Sequence, residues 1–511
     1  MRKEKSGMNR REFLKQGAIG LGALTSPSLT GLSWAASKDR VTIYHGSGMD
    51  SLHPYNHSSS PLYGLWEHIM EDLVDIDYTT NQWAGRLAES WEFQGRKWVF
   101  KLRKGVRFHD GSPFTSKDVI FSYNRIKNDK LSLQKSNSAD VVEMTAPDDH
   151  TLVLVTKEPN VVLLDRLQNR VIISSAAAEK YGDDLDKHPI GTGPYKFVSF
   201  KRDGEFVVRR NDDYWGPKAE IREVVWRKVT EEAARIAALE AGQADVIYSV
   251  PIHEALRLER HPRVRVEKVA GLRMYFIALN PAFKPFDNKL VRQAVNYSID
   301  TDTLIKNIFD GNGFALNGPV GPNVIGHDPS LKRYPYDPKK AKELLAKAGY
   351  PSGAEIKFYY SPGRYPKDKE VCQAIANQLT KGGFKVDLIA QEWAIFWGLS
   401  GVNGGKLPMY YIGRGSLTDA DTLYDQYFRT GTTKRVSYSN PEFDKLIDEE
   451  QKTGDHKKRL ALLQKASKIL MEDVPFVPLY DLADIYGVVR NVIWKPRPDE
   501  QILAFEMKIR A

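Results

Sequence analysis

The run from Trp98 to Phe121, WVFKLRKGVRFHDGSPFTSKDVIF, constrains the fold more than any other stretch, because it dictates a fixed succession of elements. Apolar side chains alternate at Trp98, Phe100 and Leu102, the period of a strand with one buried face. Lys104-Gly105 turns the chain, Val106 and Phe108 suit a second short strand, and His109-Asp110-Gly111-Ser112-Pro113 is a dense turn signal. Thr115 and Asp118 stand at capping-box spacing ahead of Val119-Ile120-Phe121, so a helix should begin there. His109 and Asp110 are neighbours on a tight turn, where such residues serve the turn more often than proton transfer.

A chain of 511 residues is too long for one core and calls for two or three domains. Net charge is +9, of which the first 35 residues carry +4. The remaining excess forms no basic stripe, which argues against a nucleic-acid partner. The 55 Phe, Tyr and Trp residues exceed what turns and surface use, and suit both a core and a pocket that grips by stacking. Cys372 is the only cysteine, so no intramolecular disulfide or cysteine metal cluster can form, and its helical context reads as a buried thiol. No G-x-S-x-G elbow, H-E-x-x-H pair or cysteine-histidine signature supports a hydrolase, and no catalytic residue is assigned.

Asn9-Arg10-Arg11-Glu12-Phe13-Leu14-Lys15 resembles the twin-arginine export motif, and a mildly apolar run follows from Gly17 to Leu32. That run is short for a membrane-spanning helix, and Ser33-Trp34-Ala35 supplies small residues for signal cleavage after Ala35. A periplasmic location is expected.

With Leu87-Ala-Glu-Ser-Trp91 upstream, the Trp98 to Phe121 run closely resembles the signature of the family 5 extracellular solute-binding proteins, the dipeptide-, oligopeptide- and nickel-binding subunits of ABC importers. Further matching segments are Pro189-Ile-Gly191-Thr-Gly193-Pro194-Tyr195 with Asn211 to Gly216, the helix Pro285 to Ala294 with its VRQA pattern, and Val474 to Tyr480. The resemblance implies an α/β, periplasmic-binding-protein-like two-lobe fold (class II) with an additional α+β domain. Expected bounds are a signal peptide at 1–35, lobe I at 36–70, 191–270 and 475–511, an accessory domain at 71–190, and lobe II at 271–474. Hinge crossings are expected near 190–195, 271 and 475. The implied function is capture of a small polar solute, peptide or peptide-like, and its delivery to the transmembrane subunits of an ABC permease. An oligosaccharide, an opine or another non-peptide solute is the alternative. No cofactor is implied, and a monomer is expected.

Candidate ligand contacts are Tyr55, His57, Ser58, Ser59 and Tyr63 on the first cleft loop and helix. Trp393, Trp397, Arg414, Ser416 and Asp419 are the candidates in the second lobe. His45, His53, His57 and His68 lie at offsets of 8, 4 and 11, and the first three fall in a strand and a loop, not on a helix that could present a ligand pair, so metal ligation is not expected. In the family's peptide-binding members an aspartate near Tyr410 to Asp421 pairs with the ligand's α-amino group. Aligning Asp419-Ala-Asp421 with the family's acidic pair puts Ser416 at that position and Gly413 where a tryptophan stands. A shift of the loop would put Asp419 there instead. Arg414 could receive a carboxylate or phosphate bidentately, or serve a structural ion pair.

Overall fold

The computed structural model describes residues 39–46, 48, 51–57, 60–135, 140–202, 204–401, 404–415, 417–431 and 435–510. The expected export segment at 1–35, and Ser58, Ser59 and Ser416, lie outside the described residues. Among the described residues no helix is long and apolar enough to cross a membrane.

Two long antiparallel strands, Val264–Leu279 and Phe476–Val489, form the spine of an 11-stranded mixed sheet. On one side the sheet continues through Met409–Arg414, Ala354–Tyr360 and Phe384–Ala390. On the other it continues through Val246–Tyr248, Arg40–His45, Glu223–Lys228, Glu205–Arg210 and Tyr195–Phe200. Arg40–His45 runs parallel to both Glu223–Lys228 and Val246–Tyr248, with the helix Glu232–Glu240 between the latter two. These form a strand-helix-strand unit with the first strand inserted in its middle.

The spine changes register where the two halves meet. Ala270 pairs with Ala483 and Met274 with Asp481, so Gly271, Leu272 and Arg273 stand opposite Leu482 alone. Such a bulge bends a strand and re-aims a side chain. Phe476–Val489 continues unbroken through 482, so the bulge is bordered by paired strands on both sides.

The Trp98 to Phe121 run forms the expected strand and helix. Lys97–Leu102 buries Trp98, Phe100 and Leu102, and sits inside a four-stranded sheet with Ala88–Gln94, Thr151–Thr156 and Val141–Asp148. Thr115 donates its N–H to the Asp118 carboxylate at 2.8 Å, and the helix Ser116–Asn128 follows. Val106 and Phe108 form no second strand: a single bridge pairs Arg107 with Pro113, because the turns on either side leave no length for a ladder. The helix that carries Tyr63 spans Ser60–Glu67. It stops because the His68 and Ile69 carbonyls accept from Tyr195 N–H (2.8 Å) and Gly193 N–H (2.9 Å).

That junction gathers several of the sequence motifs. The His109 N–H donates to the Gly191 carbonyl at 2.9 Å, and Asn211 Nδ2 donates to the Gly193 carbonyl at 3.3 Å. Tyr214 Oη and Trp215 Nε1 donate to the two carboxylate oxygens of buried Glu71 at 2.7 and 2.8 Å. A Cβ on Gly191 would stand 2.1 Å from the Ile69 carbonyl oxygen, so only glycine lets the two backbones approach.

Candidate ligand-binding cleft

Two cavities meet where the spine changes register. The smaller, about 330 Å³, is bordered by Tyr63, Asp165, Arg166, Arg170, Arg414 and Thr418, among others. The larger, about 880 Å³, is bordered by Tyr248, Tyr275, Arg364, Tyr365 and Asp484, among others. Leu272, Arg273 and Glu500 border both, so they form the partition of one polar cleft. Volumes of this order suit a small solute held largely out of water.

Arg414 ends the strand Met409–Arg414 and donates Nη1 to the Gly415 carbonyl at 3.0 Å. Its Nε is buried and has no hydrogen-bond partner among the described residues. Burial holds the guanidinium below its ordinary range, and the nearby positive charges of Arg435 and Arg273 add to this. Arg273, delivered by the bulge, lies against Gly415, where a Cβ would come within 2.6 Å of its Cζ. Gly413 is likewise filled by neighbours: the Tyr275 and Tyr365 rings would stand 2.9 and 3.0 Å from a Cβ there, and Tyr365 donates its hydroxyl to the Gly413 carbonyl at 3.0 Å. Two tyrosines therefore occupy the space that a side chain at 413 would take.

In the larger chamber, Asp484 accepts from Tyr248 Oη at 3.1 Å, and burial pushes its carboxyl up to about 7, with the Glu500 charge adding. Glu500 is raised by burial and drawn back by Arg273, and its backbone is left-handed at φ 65°. A bulky residue held in that region at a cleft is a form of stored strain.

The sequence-derived candidates divide. Tyr63 and Arg414 border the smaller cavity. His57 is buried with its ring 4.7 Å from that of Tyr63. Trp393 lies one layer behind the larger chamber: Arg364 covers its ring at 4.5 Å, and it stacks on Trp397 at 5.4 Å. Trp397 is half-exposed beneath Arg435.

Two candidates need correction. Tyr55 is fully buried and its hydroxyl is committed to the Val171 carbonyl at 2.9 Å. Asp419 is buried, caps the helix Ala420–Tyr427 through the Asp421 N–H, and receives two guanidinium nitrogens of Arg459 at 2.6 and 2.9 Å. Buried and held in an ion pair, this carboxylate is not presented to a ligand ammonium.

The four histidines near the N-terminus have separate partners. His45 stacks on Tyr248 at 4.7 Å, His53 Nε2 meets Asp129 at 2.9 Å, and His68 donates to the Gly64 carbonyl and accepts from the Ala504 N–H. The sequence reading missed Arg166, Arg170, Arg273, Arg364, Asp484 and Glu500. The VRQA helix packs as expected, with Val291, Ala294, Val295 and Ser298 buried, and Arg292 bonds the Phe286 and Asp473 carbonyls.

Residues 82–435 match the model of the bacterial extracellular solute-binding proteins, family 5. The chain belongs to this family. The glutathione-binding protein GsiB of Pectobacterium atrosepticum is 32% identical over 462 residues, covering 87% of this chain and 88% of that protein. The heme-binding protein A of Haemophilus influenzae is 29% identical, covering 83% and 82%. The peptide-bound structure of the periplasmic binding protein DppA from Helicobacter pylori is 28% identical with a TM-score of 0.67, covering 92% and 98%. As a family 5 protein the chain has the two-lobe α/β fold and is a substrate-binding component of an ABC importer, a class of solute-binding proteins that work with a membrane permease.

Proposed function

We propose that this family 5 protein carries a small peptide-like solute in the cleft at Arg273. The observation that carries the reading is the cleft itself, which sets guanidinium groups in one chamber against Asp484, Tyr248, Tyr275 and Tyr365 in the other. Opposed charges with tyrosine rings between them suit a solute that has both charged ends and amide dipoles. The likeness to a peptide-bound DppA and to glutathione-binding GsiB supports the same class. Because Asp419 is committed to Arg459, the loop from Tyr410 to Asp421 offers an ammonium no carboxylate at 419, and Ser416 stands where an acid is expected.

Ligand bound between the lobes shifts the hinge equilibrium toward the closed form, which docks on the permease. The bulge at 271–273 opposite Leu482 is the proposed hinge, and the proposed domain bounds move accordingly, from 475 to about 482 on the returning strand. The twin-arginine signal at residues 1–35, cleavage after Ala35, periplasmic residence and a monomeric state complete the proposal. Native mass spectrometry of the protein as isolated tests it. A retained peptide-like mass, released unchanged on denaturation, is expected. A retained porphyrin or neutral sugar, or a chemically converted ligand, would overturn it.

A further inference from the structure

The smaller cavity holds arginines that the rest of the fold would have neutralised. Several buried guanidinium groups elsewhere are matched by carboxylates: Arg86 with Glu67, Arg459 with Asp419 and Glu450, Arg497 with Asp75 and Asp499. Arg235 is satisfied by the carbonyls of Val229, Thr230, Tyr248 and Ser249. The cavity gathers four arginines without such a match. Arg166, Arg170, Arg273 and Arg414 all border it, and none has a carboxylate ion pair among the described residues. Arg170 is only 7% exposed, reaches no further than the Asn169 carbonyl and the Tyr63 ring, and leaves a buried Nε without a partner. Arg414 leaves its Nε in the same condition.

The acids of the cavity do not balance them. Asp499 belongs to Arg497 at 2.7 Å. Asp165 accepts the Thr418 hydroxyl; burial raises its pKa and the charges of Arg166 and Arg170 draw it back, so one carboxyl is set among three guanidinium groups. Glu500 alone remains, shared with the other chamber and facing Arg273. Buried charge without a counterion costs several kcal/mol per ion in a site of low dielectric, and a guanidinium fork is shaped to take an oxyanion.

We infer that the cleft selects a solute bearing at least two carboxylates, one received by Arg414 and Arg273 beside Gly415, the other by Arg170 and Arg166 on the accessory side. This rests on the cleft being the ligand site, as proposed above, and it narrows that proposal to acidic, peptide-like cargo. Arg273 then has two duties: it contacts the ligand and sits in the bulge between the lobes, so the bound carboxylate draws on the hinge directly. Gly415 is the complementary requirement, since a side chain there would displace the Arg273 guanidinium.

Calorimetry on the full chain, stripped of retained ligand, tests this with three peptides of one length: Ala-Gly-Glu, Ala-Gly-Gln and Ala-Gly-Gln amide. Each carboxylate removed should weaken binding by about tenfold or more, the scale of a charge-assisted hydrogen bond. Arg170→Gln and Arg414→Gln should each flatten that series while leaving the unliganded melting temperature at or above the wild-type value, since each removes a charge that has no carboxylate ion pair. If either variant fails to fold, the salt dependence of wild-type binding replaces it: affinity for Ala-Gly-Glu should fall more steeply with added salt than affinity for the amide. Equal affinity for the three peptides, or a preference for the amide, overturns the inference. If no peptide binds, melting-temperature shifts with glutarate, citrate and inorganic phosphate separate the two claims. Stabilisation by the carboxylates alone keeps the anion site and overturns the peptide reading. Stabilisation by phosphate alone, or by none of the three, overturns the anion inference as stated.

Discussion

The imidazole of His109 bridges Gly191 and Gly193: Nε2–H donates to the Gly193 carbonyl at 3.0 Å, and Nδ1 accepts the Gly191 N–H at 3.4 Å. Both nitrogens are used as a neutral ring uses them, and burial pushes the pKa down to about 4. The residue that looked like half of a proton-transfer pair is a joint between the accessory sheet and the lobe.

Replacing it, as His109→Phe, should cost about 1–3 kcal/mol at pH 7, the penalty for orphaned buried polar groups. A histidine with a depressed folded pKa stabilises fully above its unfolded pKa of about 6.5 and loses that contribution as pH falls toward 4. The gap between wild type and variant in urea unfolding should therefore narrow from pH 7 to pH 4.5. A constant gap would contradict the neutral ring.

The Asp419 and Arg459 pair is buried on both sides, with side-chain exposures of 2% and 6%. Asp419→Asn should destabilise the fold by about 3–5 kcal/mol, since it leaves a buried guanidinium short of its partner. Ligand preference should not change. Altered preference with unchanged stability, measured by denaturation and calorimetry together, would return Asp419 to the ligand site.

Gly415→Ala places a methyl group where the Arg273 guanidinium lies. The end of a flexible side chain can move aside, so the melting temperature should stay close to wild type. Affinity for the native ligand should drop about tenfold, because one charged contact is lost. Calorimetry on both proteins decides it.

Asp481, on the spine next to the register shift, is 1% exposed and has a buried Oδ1 without a partner among the described residues. Burial raises its pKa well above the usual carboxylate range. A carboxyl with a raised folded pKa stabilises fully below its unfolded pKa of about 4 and loses that contribution as pH rises. Asp481→Asn should therefore be more stable than wild type by about 1–3 kcal/mol at pH 8 and lose the advantage near pH 4. Thermal melts across that range would show it.

Local rules made much of the fold legible. The cap at Thr115 stands where the sequence put it, because a cap is decided within four residues, and Asp337, Asn440 and Asp455 cap their helices by the same local chemistry. The alternation at Trp98, Phe100 and Leu102 is equally local. Arg273 was hidden inside an apolar run because its exposure to the cleft depends on a register shift against a strand two hundred residues later. Asp419 was misread because its partner lies forty residues on, in another helix. Arg170 gave no periodic signal at all, and only the cavity shows what it faces.

Because the spine stays paired above and below 271–273, whatever joins the halves of the molecule cannot swing like a door on a slack tether. As the proposed hinge it would act as a leaf spring: two paired ribbons held above and below the bulge and bending where the register shifts. That bend would restrict how the halves close, and a solute that fits the mouth but not the closed form would be held without being signalled to the membrane. Recognition by the permease would then report the path of closure as well as the cargo.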